Sequence, residues 1–166
     1  MGKVQSVFGN GFSGAVSRSI DDIIISVKNA SEDDIPFGAP VFMTADGAVP
    51  FSTDAPQDYS AFLGFAVRVA DKTPDEYPAG QFGRKPEGNW HKGDVMEVLV
   101  RGAMAVPLET AGTKGGAVYI RKEDGKLTAS AGGAGTTVLL ENVHLRNPRD
   151  TTTGCAEIVI SERHIL

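Results

Sequence analysis

The side chains in this sequence whose chemistry would be most diagnostic are one cysteine, Cys155, and a few histidines: His91, His144 and His164. A Cys–His hydrolase needs a thiol that a nearby imidazole activates, and none of these residues lies in a recognisable catalytic signature. Alternating apolar residues follow the cysteine over 156–160, a pattern typical of a strand, so we expect a packed thiol. The histidines also lack the two-residue or helical spacing of zinc ligands. The sequence therefore predicts neither a catalytic residue nor a metal site.

The segment Gly9–Gly14 matches the G-x-G-x-x-G pattern of a dinucleotide-binding loop. Such a loop needs a helix that starts at its third glycine, because the free amides and the dipole of that helix hold the pyrophosphate. Only residues 15–20 separate that glycine from the acidic pair Asp21-Asp22, and two serines interrupt them. No alternation of strands and helices follows, so we expect no nucleotide cofactor.

The composition is typical of a single globular domain. Of the 166 residues, 41% are hydrophobic and 22% are charged, which excludes a disordered chain. No run reaches the ~18 apolar residues of a membrane helix, so we expect no membrane partner. The formal net charge is −5, and a negative surface repels phosphate, so we expect no nucleic-acid partner either.

Two similar segments, Gly38–Gly47 and Gly116–Gly125, each run from Gly-Ala through a short apolar stretch into Asp-Gly. Asp-Gly between alternating segments predicts a β-hairpin, because the tight turn needs the positive φ that glycine adopts without steric cost. Between them, residues 62–69 predict a half-buried strand with one apolar face: Leu63, Phe65, Val67 and Val69.

The clearest strand pattern covers residues 94–108, where apolar side chains recur at even positions across Gly102. One strand bent at Gly102, or two strands meeting there, would place all of these side chains on one face: Met96, Val98, Val100, Met104, Val106 and Leu108. Ala103 and Ala105 leave the other face thin enough for a close approach. About eight or nine short strands without helical periods predict a mainly β fold, a small β-barrel or β-sandwich built from hairpins over residues 21–166 with little helix.

Two segments fall outside this pattern, residues 1–20 and residues 71–93. We interpret the first as an extended N-terminal arm, although a frayed terminus would have the same composition. The second is a long loop whose aromatic residues could form an interaction surface or fold back over the core. From these two segments we take the candidate partner contacts: Val4, Phe8, Phe12, Arg18, Tyr77 and Trp90.

The order of these blocks resembles the bacteriophage capsid cement proteins, also called head decoration proteins. The resemblance covers roughly residues 36–160 and rests on five segments: 38–47, 62–67, 92–107, 114–125 and 154–160. It implies a structural virion protein without enzymatic activity or cofactor, which binds the outside of an icosahedral head across neighbouring major capsid proteins and so cements it. It also implies self-association into dimers or trimers, and synthesis in the cytoplasm of the bacterial host.

Two other classes of function remain open at this point. A β-sandwich module that binds carbohydrate or another ligand could use the aromatic loop as its platform, because aromatic faces stack on sugars. A small hydrolase could use Cys155, which we rank last. The resemblance does not cover the arm or the loop, and our own expectation is that the capsid contacts lie in the arm, with the loop as a secondary contact.

Overall fold

The computed structural model describes residues 9–52, 58–69 and 88–163. Within these ranges the chain forms eleven strands and one 3₁₀ turn, Tyr59–Ala61. The strands are β1 Val16–Lys28, β2 Ile35–Pro36, β3 Pro40–Thr44, β4 Gly47–Pro50, β5 Phe62–Ala66, β6 Asn89–Trp90, β7 Val95–Pro107, β8 Ala117–Arg121, β9 Leu127–Thr128, β10 Thr137–Asn147 and β11 Cys155–Ile160. The predicted mainly β fold is confirmed as a curled, half-barrel sheet. No helix in the described ranges has the length and apolar character needed to cross a membrane.

Strand β7 is the centre of the main sheet, whose order is β4-β3-β5-β7-β11-β10-β8-β9. Along one edge, β7 pairs with β1 in antiparallel register. Along the other edge it pairs first with β5, at Val98 and Leu99, and then with β11, from Gly102 onward. The strand β7 therefore joins two parts of the sheet that would otherwise lie apart. A separate two-stranded sheet pairs β2 with β6.

Two buried clusters lie on opposite sides of β7, because neighbouring residues of a strand point to opposite faces. The larger cluster contains Phe42, Phe62, Phe65 and Leu99, and the ring of Phe62 meets those of Phe42 and Phe65 edge to face. The smaller cluster contains Ile35, Phe37, Trp90 and Val98, among others. Both faces of the central strand are thus buried, which stabilises the sheet through apolar contact on both sides.

The prediction that six apolar residues of 94–108 share one face is wrong. Met96, Val98 and Val100 face the smaller cluster, whereas Met104, Val106 and Leu108 face the larger one. The alternation inverts at Gly102, whose φ of 123° is outside the range of an ordinary strand residue. The segment before β1 lies against one of the alanines, where a Cβ on Gly11 would be 3.5 Å from the Cβ of Ala105, whereas from the sequence we expect another sheet or subunit to approach there.

Strand β5 is buried on both faces, not on one face as its sequence pattern predicts. Leu63 lies in the smaller cluster and Phe65 in the larger, because a bulge shifts the register between Val41 and Phe42 of the neighbouring strand. Gly64 permits this packing, since a Cβ there would lie 2.1 Å from the carbonyl oxygen of Leu99. The two predicted hairpins are confirmed as β3–β4 and β8–β9.

Residues 9–20 belong to the body of the domain, which corrects the expectation of a free arm over the whole of 1–20. β1 begins at Val16 and follows β7. Just before it, the Gly14 N–H donates to the Ala105 carbonyl (2.8 Å), and the Ala105 N–H donates to the Ala15 carbonyl (2.9 Å). These bonds extend the ladder toward the N-terminus, so the described residues before β1 pack on the body of the domain.

Candidate partner-binding surface

The most unusual local feature of the sheet is a bulge in β1 over residues 19–22. Arg18 pairs with Ala103 and Ile23 pairs with Arg101, so four residues of β1 lie opposite the single residue Gly102. Extra residues in one strand leave the ladder and bend away from the sheet, and such bulges occur where a strand presents a side chain. We call residues 19–22 the β1 bulge.

Two contacts hold the β1 bulge in place. The Asp22 carboxylate packs against Gly102, where a Cβ would lie 2.0 Å from the Asp22 Oδ1. The adjacent residue, Asp21, forms an ion pair with Arg101, with 2.6 Å between Oδ2 and Nη2. The bulge is therefore a built feature of the fold, because it needs a glycine at 102 and is braced by a charge pair.

The Asp22 carboxylate is poorly solvated. Its two oxygens are inaccessible to water and make no hydrogen bond of good geometry with the described residues. Burial raises the pKa of Asp22 above its ordinary value of 3.8, the nearby Ala103 N–H partly offsets this, and the charge of Asp21 adds to it. The ionised form of this group therefore costs folding free energy.

The β1 bulge and the residues after it expose large apolar side chains to water. Ile20 is 101% exposed, the largest value among the exposed apolar residues, and Ile23 and Ile24 follow at 37% and 42%. The sequence analysis did not select these residues as partner contacts. These exposed isoleucines lie close together in the chain and make this stretch a candidate surface for a partner.

Arg18, a predicted contact, lies beside the bulge and is bound to the buried Glu157. The Arg18 Nε donates to Glu157 Oε1 (3.1 Å), and the Ser17 hydroxyl donates to the same oxygen (2.8 Å). Asn147 Nδ2 donates to the other oxygen, Oε2. Glu157 is 4% exposed, whereas the Arg18 side chain is 56% exposed, so Arg18 anchors β1 to β11 and still presents part of its surface to solvent.

Phe12 is half-buried against the body. The Arg68 guanidinium lies 5.8 Å from the centre of its ring and 5.5 Å from the ring of Phe37. A guanidinium over an aromatic face is attracted by the ring quadrupole, so this contact holds the N-terminal segment to the domain. Phe12 is therefore a docking residue within the chain, with a partial surface left for a partner.

Trp90 is a core residue, which corrects its selection as a surface contact. It is 4% exposed, its indole N–H donates to the Val67 carbonyl (3.0 Å), and its ring meets Phe37 edge to face at 6.1 Å. Folding back over the core, the second alternative for this aromatic, is the one observed. The remaining predicted contacts, Val4, Phe8 and Tyr77, lie outside the described residues.

Cys155 and the glycines of the segment Gly9–Gly14, which the sequence analysis weighed for catalysis and for nucleotide binding, lie in packed surroundings. Cys155 is 5% exposed, and burial raises the pKa of its thiol, which disfavours the reactive thiolate. The segment Gly9–Gly14 runs into the strand β1, not into a helix, so it lacks the helix terminus that a dinucleotide needs. Gly14 instead permits close packing, since a Cβ there would lie 2.8 Å from the Cβ of Phe37.

Comparison with known families settles the class of this molecule. The family model described as "Structural cement protein (E217 gp24/Pam3 gp6)", a phage family, matches residues 2–161, nearly the whole chain. The chain belongs to this family of phage cement proteins. The cement protein thus has a structural, capsid-stabilising role, as the family resemblance implied.

A solved structure shares the fold of the cement protein. A chain of the structure titled "The capsid of Myoviridae Phage XM1" is 17% identical to it, with a TM-score of 0.70 over 97% of this chain and 96% of that chain. At this identity the likeness concerns the fold, which it supports over the full length. A comparison with curated proteins found no match.

Proposed function

We propose that this cement protein binds the outer surface of a phage head, across neighbouring copies of the major capsid protein, and that the β1 bulge is its principal contact. The observation that carries the proposal is Ile20, a fully exposed isoleucine on a bulge braced by Gly102 and the Asp21–Arg101 pair. Arg18 adds a guanidinium at the margin of the same surface. A fixed apolar side chain with a charged neighbour is typical of an interface anchor.

A protein that binds only the assembled shell stabilises that shell, because its binding free energy is lost when the shell comes apart. Repetition over many equivalent sites allows modest contacts to act together. This role needs no catalysis and no cofactor, and we propose that the protein has neither. It also needs no nucleic acid or membrane, and the net charge of −5 accords with that.

The N-terminal residues Val4 and Phe8 remain part of the proposed contact, together with Tyr77 of the loop. Because Gly14, Ala15 and the start of β1 bond to β7, a truncation that tests Val4 and Phe8 should remove residues 1–8 only. Removing 1–20 would also delete the first part of β1 and its bonds to β7. We further propose that the protein self-associates, is made in the host cytoplasm and ends in the virion.

The carbohydrate-binding alternative loses its main support. The single tryptophan that could have formed a sugar platform is buried between Phe37 and the Val67 carbonyl. No other observation favours that function, and we do not propose it.

The proposal is tested by measuring binding of the full chain to heads that lack it. Ile20→Ser should weaken binding by about 10- to 100-fold, since fully burying such a side chain contributes about 1.5–3 kcal/mol. Leu139→Ser is the matched control, because Leu139 is 41% exposed on β10, away from the bulge, and should leave binding unchanged. Both variants should keep the wild-type melting temperature. Equal binding of Ile20→Ser and wild type would show that the bulge is not the contact.

A further inference from the structure

The outer edge of β1, which faces away from β7, has no strand partner over residues 23–27 in the described part of the chain. Pairing on that edge resumes only beyond Lys28, where the Ala30 N–H donates to the Ala48 carbonyl (2.9 Å). An unpaired edge presents backbone donors and acceptors that readily accept another strand. Native proteins commonly protect such edges, and here the β1 bulge ends the free stretch at its N-terminal side.

The hydrogen bonds of Asn29 show which backbone groups of β1 point away from β7. Its N–H donates to the Asp94 carbonyl (2.8 Å), and its carbonyl accepts from the Gly93 N–H (3.0 Å), so Asn29 bonds toward β7. Successive residues of a strand bond in alternating directions. The N–H and carbonyl groups of Ile24 and Ser26 therefore point away from β7, toward the free edge.

We propose that this edge pairs with the same edge of a second copy of the chain, antiparallel and with Ile25 on a two-fold axis. The inference rests on the self-association included in the proposed function and specifies its surface. In this register Ile24 of one copy faces Ser26 of the other, and the two residues exchange both backbone hydrogen bonds. The two-fold axis repeats the exchange, so all four outward groups of Ile24 and Ser26 in each copy are satisfied.

The neighbouring registers satisfy fewer groups. A symmetric antiparallel pair places one residue opposite itself. If that residue were Ile24, Ser26 would face Asp22 in the bulge, which has left the ladder. If it were Ser26, Ile24 would face Lys28, whose carbonyl is obstructed by Gly47, since a Cβ on that glycine would lie 2.5 Å from the Lys28 oxygen.

The side chains of the edge are complementary to themselves in the same register. Ile25 meets Ile25 of the second copy, and Ile23 meets its Val27. Ile25 and Val27 already pack against the smaller core cluster, so the apolar face continues from one copy into the other. This continuity would cover the partly exposed Ile23.

Charge also favours this register. Lys28 arrives beside Asp21 of the second copy, whose side chain is 70% exposed and also pairs with Arg101 of its own copy. Opposite charges placed across neighbouring strands contribute roughly 0.2–1 kcal/mol per pair, and the two-fold axis makes the contact twice. A second copy supplies both groups, because its Asp21 meets Lys28 of the first copy and its Lys28 meets Asp21 of the first copy.

The resulting dimer presents two β1 bulges, one at each end of the shared ladder. Each bulge carries one Ile20, so a dimer would contact two capsid subunits at once. Linking two contacts in one particle raises the apparent affinity without a new contact. Pairing at this edge therefore gives a physical reason for a cement protein to bridge subunits.

Cysteine cross-linking tests the register. Ile25→Cys places two thiols at a pair without mutual hydrogen bonds, where Cα atoms lie about 4.5 Å apart, within the range of a disulfide. Mild oxidation of the folded variant should therefore give a covalent dimer. Ile24→Cys is the matched control: its two copies lie two residues out of register, at about 8 Å, and should not cross-link. The native Cys155 is buried and is common to both variants.

A proline substitution tests the backbone bonds. Ser26→Pro removes an N–H that points to the free edge and leaves the hydrogen bonds to β7 intact, so the domain should stay folded. The dimer dissociation constant, measured by sedimentation equilibrium, should rise at least ~10-fold. Ser26→Ala keeps the N–H and should dimerise like wild type. A monomeric wild type, a Ser26→Pro variant that dimerises normally, or equal cross-linking at 24 and 25 would overturn the inference. None of these results depends on head binding, so failure of the proposed function would appear separately, in the Ile20→Ser assay.

Discussion

Replacement of Gly102 by alanine should destabilise the protein strongly, because two independent penalties meet at this position. The backbone has a φ of 123°, which costs an L-residue of order 1–3 kcal/mol. The added Cβ would also lie 2.0 Å from Asp22 Oδ1 and 3.1 Å from the Asp22 Cα. Since the carboxylate can turn aside but the backbone cannot, we expect a total loss of about 2–4 kcal/mol, a large part of a typical unfolding free energy of 5–15 kcal/mol.

Gly115→Ala provides the matched control. Gly115 has a φ of 79°, and a Cβ placed there would have no atom of the described residues within 4 Å beyond its chain neighbours. Its substitution should therefore cost only the backbone penalty, about 1–2 kcal/mol. Urea unfolding followed by the fluorescence of Trp90, the single tryptophan and a buried one, measures both variants.

A double-mutant cycle separates the contact from the backbone strain. Asp22→Ala removes the carboxylate that meets the new Cβ, so the combined variant should be more stable than the sum of the single effects by about 1 kcal/mol. Additive effects of Asp22→Ala and Gly102→Ala would refute the packing of Asp22 on Gly102. Equal losses for Gly102→Ala and Gly115→Ala would refute the description of the β1 bulge itself.

Two further predictions concern buried carboxylates. Glu157→Ala should lower the free energy of unfolding by about 2–3 kcal/mol, because the donors on Ser17, Arg18 and Asn147 lose their acceptor. Glu157→Gln should cost less. The control is Glu109→Ala, which removes an exposed ion pair with Lys126 and should change stability by less than about 1 kcal/mol. The pKa of Asp22 is raised in the folded state, so its charge destabilises the fold above that pKa and protonation relieves the cost as the pH falls toward the ordinary value of 3.8. Asp22→Asn should thus be more stable than wild type at neutral pH, with an advantage that shrinks on acidification in thermal melts; an advantage independent of pH would contradict a desolvated carboxylate.

Local patterns in the sequence were sufficient for the strands and the hairpins. The turns at Asp46-Gly47 and Asp124-Gly125 were predictable because a tight turn needs a residue with positive φ, and the Asp-Gly pair alone identifies such a position. The family resemblance also rests on the order of such local blocks, which the family match confirms. The alternation at residues 96–100 and 104–108 predicted burial correctly at every even position.

Positions that depend on distant partners were not predictable in this way. Trp90 looked like a loop aromatic, but Phe37 and the Val67 carbonyl, more than twenty residues away, place it in the core. Ile20 looked like part of an arm, and only the register of β1 against β7 shows that it lies on a bulge and is exposed.

The amino-acid order by itself determined a hairpin-built β protein of the cement family, because turn geometry and alternating polarity act over a few residues. Which side of the sheet each strand faces, and which isoleucines stay in water, was decided only by the tertiary structure. A single residue in an unusual conformation, Gly102, inverts the alternation of β7 and accommodates the bulge of β1. Burial and exposure depend on contacts between segments far apart in the chain, and no local pattern contains them.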